Sequence, residues 1–314
     1  MTQLIPFSSC LSAAETKDWL NHLNRNLTNV KVVRLKDLSE ADRTKAECAI
    51  VANANPADLE TLPNLKWIQS LWAGVERLIA EYTNQDVTIV RLIDTQMSKS
   101  MSEAALAWTL FIHRSIPQYR RLQAQRLWKG LEFVLPQDRT VGVLGLGELG
   151  KKVALRLAEN DFNTVGWSRS KTIIEGVKTY SGMGQLSDVL SQSDIIIVLL
   201  PQSAQTIGLL STEQFAQAKL GASVINFGRG RIINDTALLE ALDSGHLYHA
   251  VLDVFAVEPL PSAHPYWTHP SVTVLPHCSA PTNKPTAAKT VAANITAFLE
   301  NGAIPDGVDR STGY

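Results

Sequence analysis

Three short segments of this chain carry side chains suited to acid–base and carboxylate chemistry. The first, Asn226-Phe227-Gly228-Arg229-Gly230-Arg231, offers Arg229, whose planar fork of N–H donors matches a carboxylate. The second, Leu252-Asp253-Val254-Phe255-Ala256-Val257-Glu258-Pro259, offers Asp253 and Glu258. The third, Pro276-His277-Cys278-Ser279-Ala280, offers His277. Each has a bland reading as well: a surface arginine, a loop carboxylate, a satisfied structural histidine. Each segment, however, follows an apolar run with strand character. Residues just past the carboxyl ends of strands in one α/β sheet converge on one crevice. Their shared position therefore favours a common site.

Upstream, Val141 to Gly150 reads Val-Gly-Val-Leu-Gly-Leu-Gly-Glu-Leu-Gly. Gly145, Gly147 and Gly150 fit the spacing G-x-G-x-x-G directly after a short apolar run. Gly145 allows a tight turn, Gly147 has no side chain to hold a pyrophosphate off the backbone, and Gly150 lets the next helix pack close to its strand. Free N–H groups and the positive dipole end at the start of that helix favour phosphate. The motif alone is weak, because glycine-rich turns also serve purely structural ends, so its setting has to decide.

In the common pattern, a carboxylate about 20 residues past the glycines accepts from the adenosine ribose. Here the next strand ends Val165-Gly166-Trp167-Ser168-Arg169-Ser170-Lys171, with no carboxylate. Arg169 can pair with a 2′-phosphate, and Ser168 or Ser170 can donate to it. A solvated basic turn is the bland alternative. The composition of this strand end predicts NADPH over NADH.

The elements that must position these groups are legible as periodic patterns. In the first hundred residues, Leu4–Phe7, Val30–Leu35, Cys48–Ala52, Trp67–Leu71 and Val87–Leu92 read as strands, and Ala13–Asn26 and Leu78–Glu81 as helices. Ser100-Met101-Ser102-Glu103 has capping-box form before an apolar stretch, Ala104 to His113, that is expected to be buried between domains or subunits. A basic helical stretch, Tyr119–Lys129, and a loop, Pro136–Arg139, follow. From Thr140 the alternation becomes regular: strands at Val141–Leu144, Thr164–Trp167, Asp194–Leu199, Ser223–Phe227, His249–Val254 and Ser271–Leu275, helices such as Leu149–Glu159 and Thr236–Ser244. This is the pattern of a doubly wound sheet that binds dinucleotides, and it supplies the strand–turn–helix setting the glycines need. A last helix follows Pro281 and Pro285 and runs to about Glu300.

The bulk properties exclude several classes of function. Length 314 points to about two domains. Lysine plus arginine (29) nearly balance aspartate plus glutamate (30), so nothing suggests binding to nucleic acid or an anionic membrane. The hydrophobic share is 45%, enough for full cores, yet the apolar runs are too short to span a bilayer. Cys10, Cys48 and Cys278 lack C-x-x-C spacing and fit reduced thiols in the cytoplasm; no metal-ligand set stands out.

The combination of G-L-G-E-L-G, N-F-G-R-G-R-I-I-N-D-T-A-L, D-V-F-A-V-E-P and P-H-C-S-A resembles the D-isomer-specific 2-hydroxyacid dehydrogenase family. Trp167-Ser168-Arg169-Ser170, Leu71-Trp72-Ala73-Gly74-Val75 and the terminal Asp309-Arg310 with Gly313-Tyr314 are similar to its glyoxylate/hydroxypyruvate reductase branch. The resemblance implies two Rossmann-like or flavodoxin-like parallel-sheet α/β domains with the active site in the cleft between them. Residues 1–99 plus 285–314 would form the substrate domain and 100–284 the dinucleotide-binding domain.

It further implies that Arg229 holds the substrate carboxylate and polarises the keto oxygen. His277 would protonate that oxygen, and Glu258 would orient His277 and favour its protonated form. Trp72, Ala73 and Gly74 would contact substrate, with Trp72 either narrowing the pocket or simply packing. Gly145, Gly147, Glu148, Leu149, Gly150, Ser168, Arg169, Ser170, Leu200, Pro201, Phe227, Gly228 and Asp253 would line the cofactor, Asp253 at the nicotinamide carboxamide. The expected activity is NADPH-dependent reduction of small 2-keto acids by a homodimer that pairs through the helix after Ser100. A bulkier or phosphorylated keto acid is the enzymatic alternative, and a dinucleotide-sensing binding protein of the same fold is the non-enzymatic one.

Overall fold

The computed structural model describes residues 3–310, so Gly313-Tyr314 of the terminal signature lie outside the described residues. The chain divides into two compact units, one formed by residues up to Gln96 together with those from Thr282 onward, the other by Met97–Pro281.

The first unit holds a parallel sheet of β1 (Gln3–Ser9), β2 (Val30–Arg34), β3 (Cys48–Ala52), β4 (Trp67–Ser70) and β5 (Thr88–Val90), in the order β2-β1-β3-β4-β5. This is the flavodoxin-like order. Every residue of β3 and β4 is buried, as continuous runs require when both faces of a parallel sheet are covered. The helix Ala13–Arg25 starts on a true capping box: Ser12 accepts from the Glu15 N–H, and Glu15 reaches back to Ser12.

The C-terminal helix, Lys284–Asn301, belongs to this unit for visible reasons. Asn294 donates to buried Gln69 of β4 at 2.8 Å, Lys284 meets Asp18 at 2.6 Å, and Phe298 stands edge-on to Trp67 at 5.5 Å. Beyond it, Arg310 donates to the carbonyls of Tyr82, Asn84 and Val87 at 2.7–2.8 Å, which fastens the tail beside β5.

The second unit holds seven parallel strands: β6 (Thr140–Leu144), β7 (Asn163–Ser168), β8 (Lys178–Ser181), β9 (Ile195–Val198), β10 (Ala222–Asn226), β11 (Leu247–Leu252) and β12 (Val272–Val274). Their order, β12-β11-β10-β9-β6-β7-β8, is doubly wound, with the topological switch between β6 and β9. Two apolar layers cover its faces, one built around Val198, Val224 and Ala250, the other around Val143, Ile197 and Val251. β8 is a finding beyond the sequence reading. Its residues Lys-Thr-Tyr-Ser are all partly or fully exposed, and an edge strand needs no apolar alternation.

One expected feature is corrected. The helix expected after Ser100 begins at Thr95 and runs to His113, so Ser100-Met101-Ser102-Glu103 is helix interior and not a capping box. Ser102 bonds back to the Lys99 carbonyl at 2.8 Å, the usual recourse of a mid-helix serine. The helix buries one stripe, Met97, Met101, Ala105, Thr109 and Ile112, and leaves Leu110 38% exposed. Among the described residues no helix is long and apolar enough to cross a membrane.

Candidate active site

All three reactive segments follow carboxyl ends of adjacent strands of the second unit. After β10, buried Asn226 shapes the turn: its amide N–H donates to the Arg229 carbonyl at 3.1 Å, and its carbonyl oxygen accepts from the Gly228 N–H at 3.0 Å. The same residue's backbone carbonyl accepts from the Asp253 N–H at 3.1 Å, which ties this turn to the end of β11. Gly230 then packs directly on the neighbouring loop. A Cβ there would lie 1.9 Å from the Phe255 carbonyl carbon, so only glycine permits the approach. Arg229 is half-buried, and its Nη1 donates to the Gly228 carbonyl at 2.7 Å.

The loop after β11 supplies two carboxylates with different partners. Glu258 accepts from the Phe255 N–H at 2.9 Å through Oε1 and meets His277 Nδ1 at 2.8 Å through Oε2. That second contact fixes the ring's orientation and leaves Nε2 as the nitrogen that can face a substrate. Their side chains are 36% and 54% exposed, so a small ligand has access to both. Asp253 is 2% exposed and accepts the N–H groups of Cys278 (2.8 Å) and Ser279 (3.1 Å), one on each oxygen. His277 itself has φ 51°, in the left-handed region, a conformation that costs a non-glycine residue about 1–2 kcal/mol. Burial, and next the Asp253 carboxylate, push the Cys278 thiol above its ordinary range. A protonated thiol is a poor nucleophile, so Cys278 is not an activated one.

The glycine turn has the geometry of a phosphate cradle. Gly145, at φ 103°, follows β6; a Cβ there would lie 2.8 Å from the backbone of Leu199, just past β9. Gly228 meets the same segment from the other side, its Cβ position being 2.7 Å from the Leu200 carbonyl oxygen. Leu199-Leu200, with Pro201 after them, thus run between two glycines at the switch point, where doubly wound sheets bind ligands. Gly150 supports the turn, since a Cβ there would stand 1.7 Å from the Gly145 carbonyl oxygen. Gly147 is different: a Cβ there meets nothing within 4 Å. It is the N-cap of the helix Glu148–Ala158, whose first N–H groups have no side-chain cap. The first turn of that helix contains Glu148 and Leu149, and Phe227 is buried after β10.

The end of β7 carries the adenosine-side candidates. Ser168 donates to the Ser170 carbonyl at 2.7 Å, its oxygen lies 3.0 Å from the Thr172 hydroxyl, and Arg169 donates to Gln205 Oε1 at 3.0 Å. Gln205 lies in the segment after β9, so Arg169 leans back toward the glycine side of the sheet. No carboxylate occupies this strand end.

The second unit therefore brings Glu258 and His277 into hydrogen-bond contact, holds the two amides after His277 on Asp253, and sets the Arg229 turn against the same loop. It separately assembles Gly145, Leu200 and Gly228. Trp72, Ala73 and Gly74 belong to the first unit, just past β4. The Trp72 ring is edge-on to Trp19 at 6.0 Å, and the Trp72 backbone N–H donates to Ser70 Oγ at 3.0 Å. Sequence reasoning missed Asn226, Gly230 and Gln205. Asn226 ends a buried strand as a polar residue, and that signal was available.

A family model described as the D-isomer specific 2-hydroxyacid dehydrogenase, NAD binding domain matches residues 106–279. A glyoxylate/hydroxypyruvate reductase A of Serratia proteamaculans is 37% identical over 305 residues, 95% of this chain and 96% of that protein. A D-isomer specific 2-hydroxyacid dehydrogenase of Xanthobacter autotrophicus Py2, solved with NADPH and MES, superposes with TM-score 0.93 at 35% identity over 100% of both chains. An NADPH-dependent glyoxylate/hydroxypyruvate reductase of Sinorhizobium meliloti, solved with NADP and sulfate, gives 0.89 at 31% identity over 99% of this chain and 100% of that one. With its glycine turn, its paired histidine and glutamate and these relatives, the chain belongs to the D-isomer specific 2-hydroxyacid dehydrogenase family.

Proposed function

We propose that this protein is an NADPH-dependent reductase of small 2-keto acids, taking glyoxylate to glycolate and hydroxypyruvate to glycerate. The observation that carries the reading is the 2.8 Å pair of Glu258 and His277 on a loop packed against the Arg229 turn. The activities for which the Serratia and Sinorhizobium relatives are named support the substrate class.

NADPH, when bound, supplies the hydride that adds to the keto carbon. The protein's part is to bind, orient and protonate. Arg229 would hold the substrate carboxylate by its fork and meet the negative charge that develops on the keto oxygen. His277 would give that oxygen a proton from Nε2, and Glu258, on Nδ1, would hold the ring and stabilise the imidazolium. Trp72, Ala73 and Gly74 enter the reading as substrate contacts on their match to the family's first-domain loop. Gly147 and the uncapped helix start fit a pyrophosphate. Arg169, Ser168 and Ser170 at a strand end without a carboxylate fit a 2′-phosphate, which an acidic residue would repel. The NADPH and NADP bound in the solved relatives agree with that choice.

The reading also includes a homodimer that pairs through the helix Thr95–His113, with exposed side chains further along the chain adding to the contact, and a cytoplasmic setting. Leu127, Trp128, Phe133 and Leu135 are exposed along one stretch after the helix Ile116–Ala124, with Trp128 at 104%. Side chains of this kind are what a second copy would cover, and a dimeric mass by light scattering is the expected result. The three cysteines are free, as a reducing compartment requires, and cell fractionation checks the placement.

The decisive assay follows NADPH oxidation with glyoxylate, hydroxypyruvate, pyruvate and larger keto acids, for the native protein and for His277→Ala. The two small acids are expected to turn over fastest. Loss of the proton donor lowers kcat by about 10²–10⁴ with NADPH affinity retained. Full activity in the variant would remove His277 from the mechanism, and inertness of the native protein toward every acid would overturn the reading.

A further inference from the structure

We infer that Gln205 is the positioning residue of the 2′-phosphate contact: it holds the Arg169 fork in one orientation before the cofactor arrives. This rests on the reading of Arg169 as the residue that meets the 2′-phosphate.

An arginine that leaves a strand end into solvent samples many rotamers, and ordering it on binding costs affinity. Arg169 directly follows β7 and is exposed, so it faces that cost. Its backbone is already fixed. Ser168 pairs with Ser181 of β8, and its carbonyl accepts from the Gly182 N–H at 3.1 Å. The Ser168 hydroxyl donates to the Ser170 carbonyl at 2.7 Å, which closes a turn around Arg169. The side chain is ordered by Gln205, whose Oε1 accepts from the Arg169 Nη1 at 3.0 Å. An acceptor on one nitrogen of a planar guanidinium restricts the rotation of the whole group, and so directs its other N–H donors as well.

Gln205 can do this because its own segment is anchored. Thr206 Oγ1 donates to the Pro201 carbonyl at 2.7 Å and accepts from the Ser203 N–H at 2.8 Å, and the Ile207 N–H donates to the Ser203 carbonyl at 3.0 Å. The Gly208 N–H then donates to the Arg231 carbonyl at 2.8 Å, and Leu209 and Leu210 are buried behind it. The Arg169–Gln205 bond therefore joins two braced segments, one after β7 and one after β9. These are the strands that flank β6, whose following turn carries Gly145 and Gly147. The amide of Gln205 is neutral, so it orients the guanidinium without adding negative charge beside a 2′-phosphate.

The test is the ratio of the NADH to the NADPH dissociation constant, read by fluorescence titration of the full-length protein with no keto acid present. The two cofactors differ only in the 2′-phosphate, so effects on the glycine turn or on the nicotinamide end cancel in the ratio. Gln205→Leu keeps most of the side chain's bulk at an exposed position and removes the acceptor. The ratio is expected to fall about 3- to 10-fold, the cost of ordering one long side chain on binding, through weaker NADPH binding with NADH binding kept. Gln205→Ala gives the same fall. In an Arg169→Met background there is no fork to orient, and Gln205→Leu then leaves the ratio where it was. A merely structural role of the loop would weaken both cofactors together.

Three results overturn the inference: a ratio that neither Gln205 variant changes, equal losses for both cofactors, or a fall of the same size in the Arg169→Met background, which would place Gln205 on the phosphate itself. A native protein that binds NADH as tightly as NADPH would fail the cofactor reading on which the inference stands. A native preference for NADPH that survives in Gln205→Leu would fail the inference alone.

Discussion

Gly147 and Gly150 sit three residues apart in one turn, yet the structure assigns them opposite duties, and alanine at each position separates them. At Gly150 a Cβ would lie 1.7 Å from the Gly145 carbonyl oxygen, half of an ordinary contact distance, and the obstacle is backbone with no rotamer to yield. Overpacking of that severity costs about 3 kcal/mol, the upper end of the usual range. For a unit of this size that is a fall in Tm of about 6–12 °C. At Gly147 the backbone (φ −72°, ψ −165°) suits alanine, and the new methyl meets no atom of the protein within 4 Å. The entropy gained by restricting the unfolded chain, about 0.4–1 kcal/mol, roughly offsets alanine's weakness as an N-cap. Tm should therefore barely move.

What the methyl at position 147 does meet, under the proposed function, is the pyrophosphate. Pushing it off even one charge-assisted hydrogen bond forfeits about 1.5–3 kcal/mol, or about 10- to 150-fold in affinity. Ligand-free calorimetry and a fluorescence titration with NADPH read the two effects separately. Gly147→Ala binding NADPH like the native protein would refute the cradle. Gly150→Ala melting like the native protein would refute the close packing of helix on turn.

Two further perturbations probe other parts of the second unit. Arg169→Glu places a carboxylate where NAD-specific relatives of this fold carry one, so kcat/KM with NADPH falls while that with NADH is kept or rises; equal losses with both would make Arg169 a packing residue. His249 is buried, and that burial, followed by Arg121 nearby, pushes its imidazole down from 6.5 to about 4. The unfolded chain then binds more protons between those values, so the contribution is fully present above about pH 6.5 and is lost as pH falls toward 4. At about pH 5 the loss amounts to about 2 kcal/mol relative to pH 7.5. His249→Gln, which can still bond Thr273, removes the titration and should flatten the pH dependence of urea unfolding by that amount; an unchanged slope would mean His249 is hydrated.

Much of this was readable before any coordinates, for physical reasons that differ by element. Cys48–Ala52 is a strand with the bounds read from its sequence, because five buried apolar residues in a row have few other uses. Leu4–Phe7 and Val141–Leu144 were found for the same reason and came out slightly longer. β8 was invisible because an edge strand of Lys-Thr-Tyr-Ser buries no full side chain. Ser100 to Glu103 carried a convincing helix start, but the helix was already under way from Thr95. A serine's local hydrogen bonding is compatible with both situations, and only the upstream packing of Met97 decided.

In the candidate site, the residues proposed to act by charge, Arg229, Glu258 and His277, are legible by type and by their place past strand ends. Those that act by shape are not. Gly230 matters because of a backbone that passes 1.9 Å from where its Cβ would be, and Asn226 because of two amide bonds across a turn. Asp253 is legible as a candidate contact for the nicotinamide carboxamide, but not as the partner of two backbone amides. Such partnerships depend on loop geometry that composition does not encode.

The run from Asp253 to Glu258 also bears on how this protein tolerates length changes. Surface loops ordinarily absorb an added or deleted residue at little cost. This one has Asp253 at its root on two amides, Phe255 against Gly230, and Glu258 on a histidine ring. One inserted residue would shift the later contacts out of register with the first. For anyone grafting, recombining or lengthening segments of this chain, the stretch is a fixed-length part, its contacts following one another within six residues.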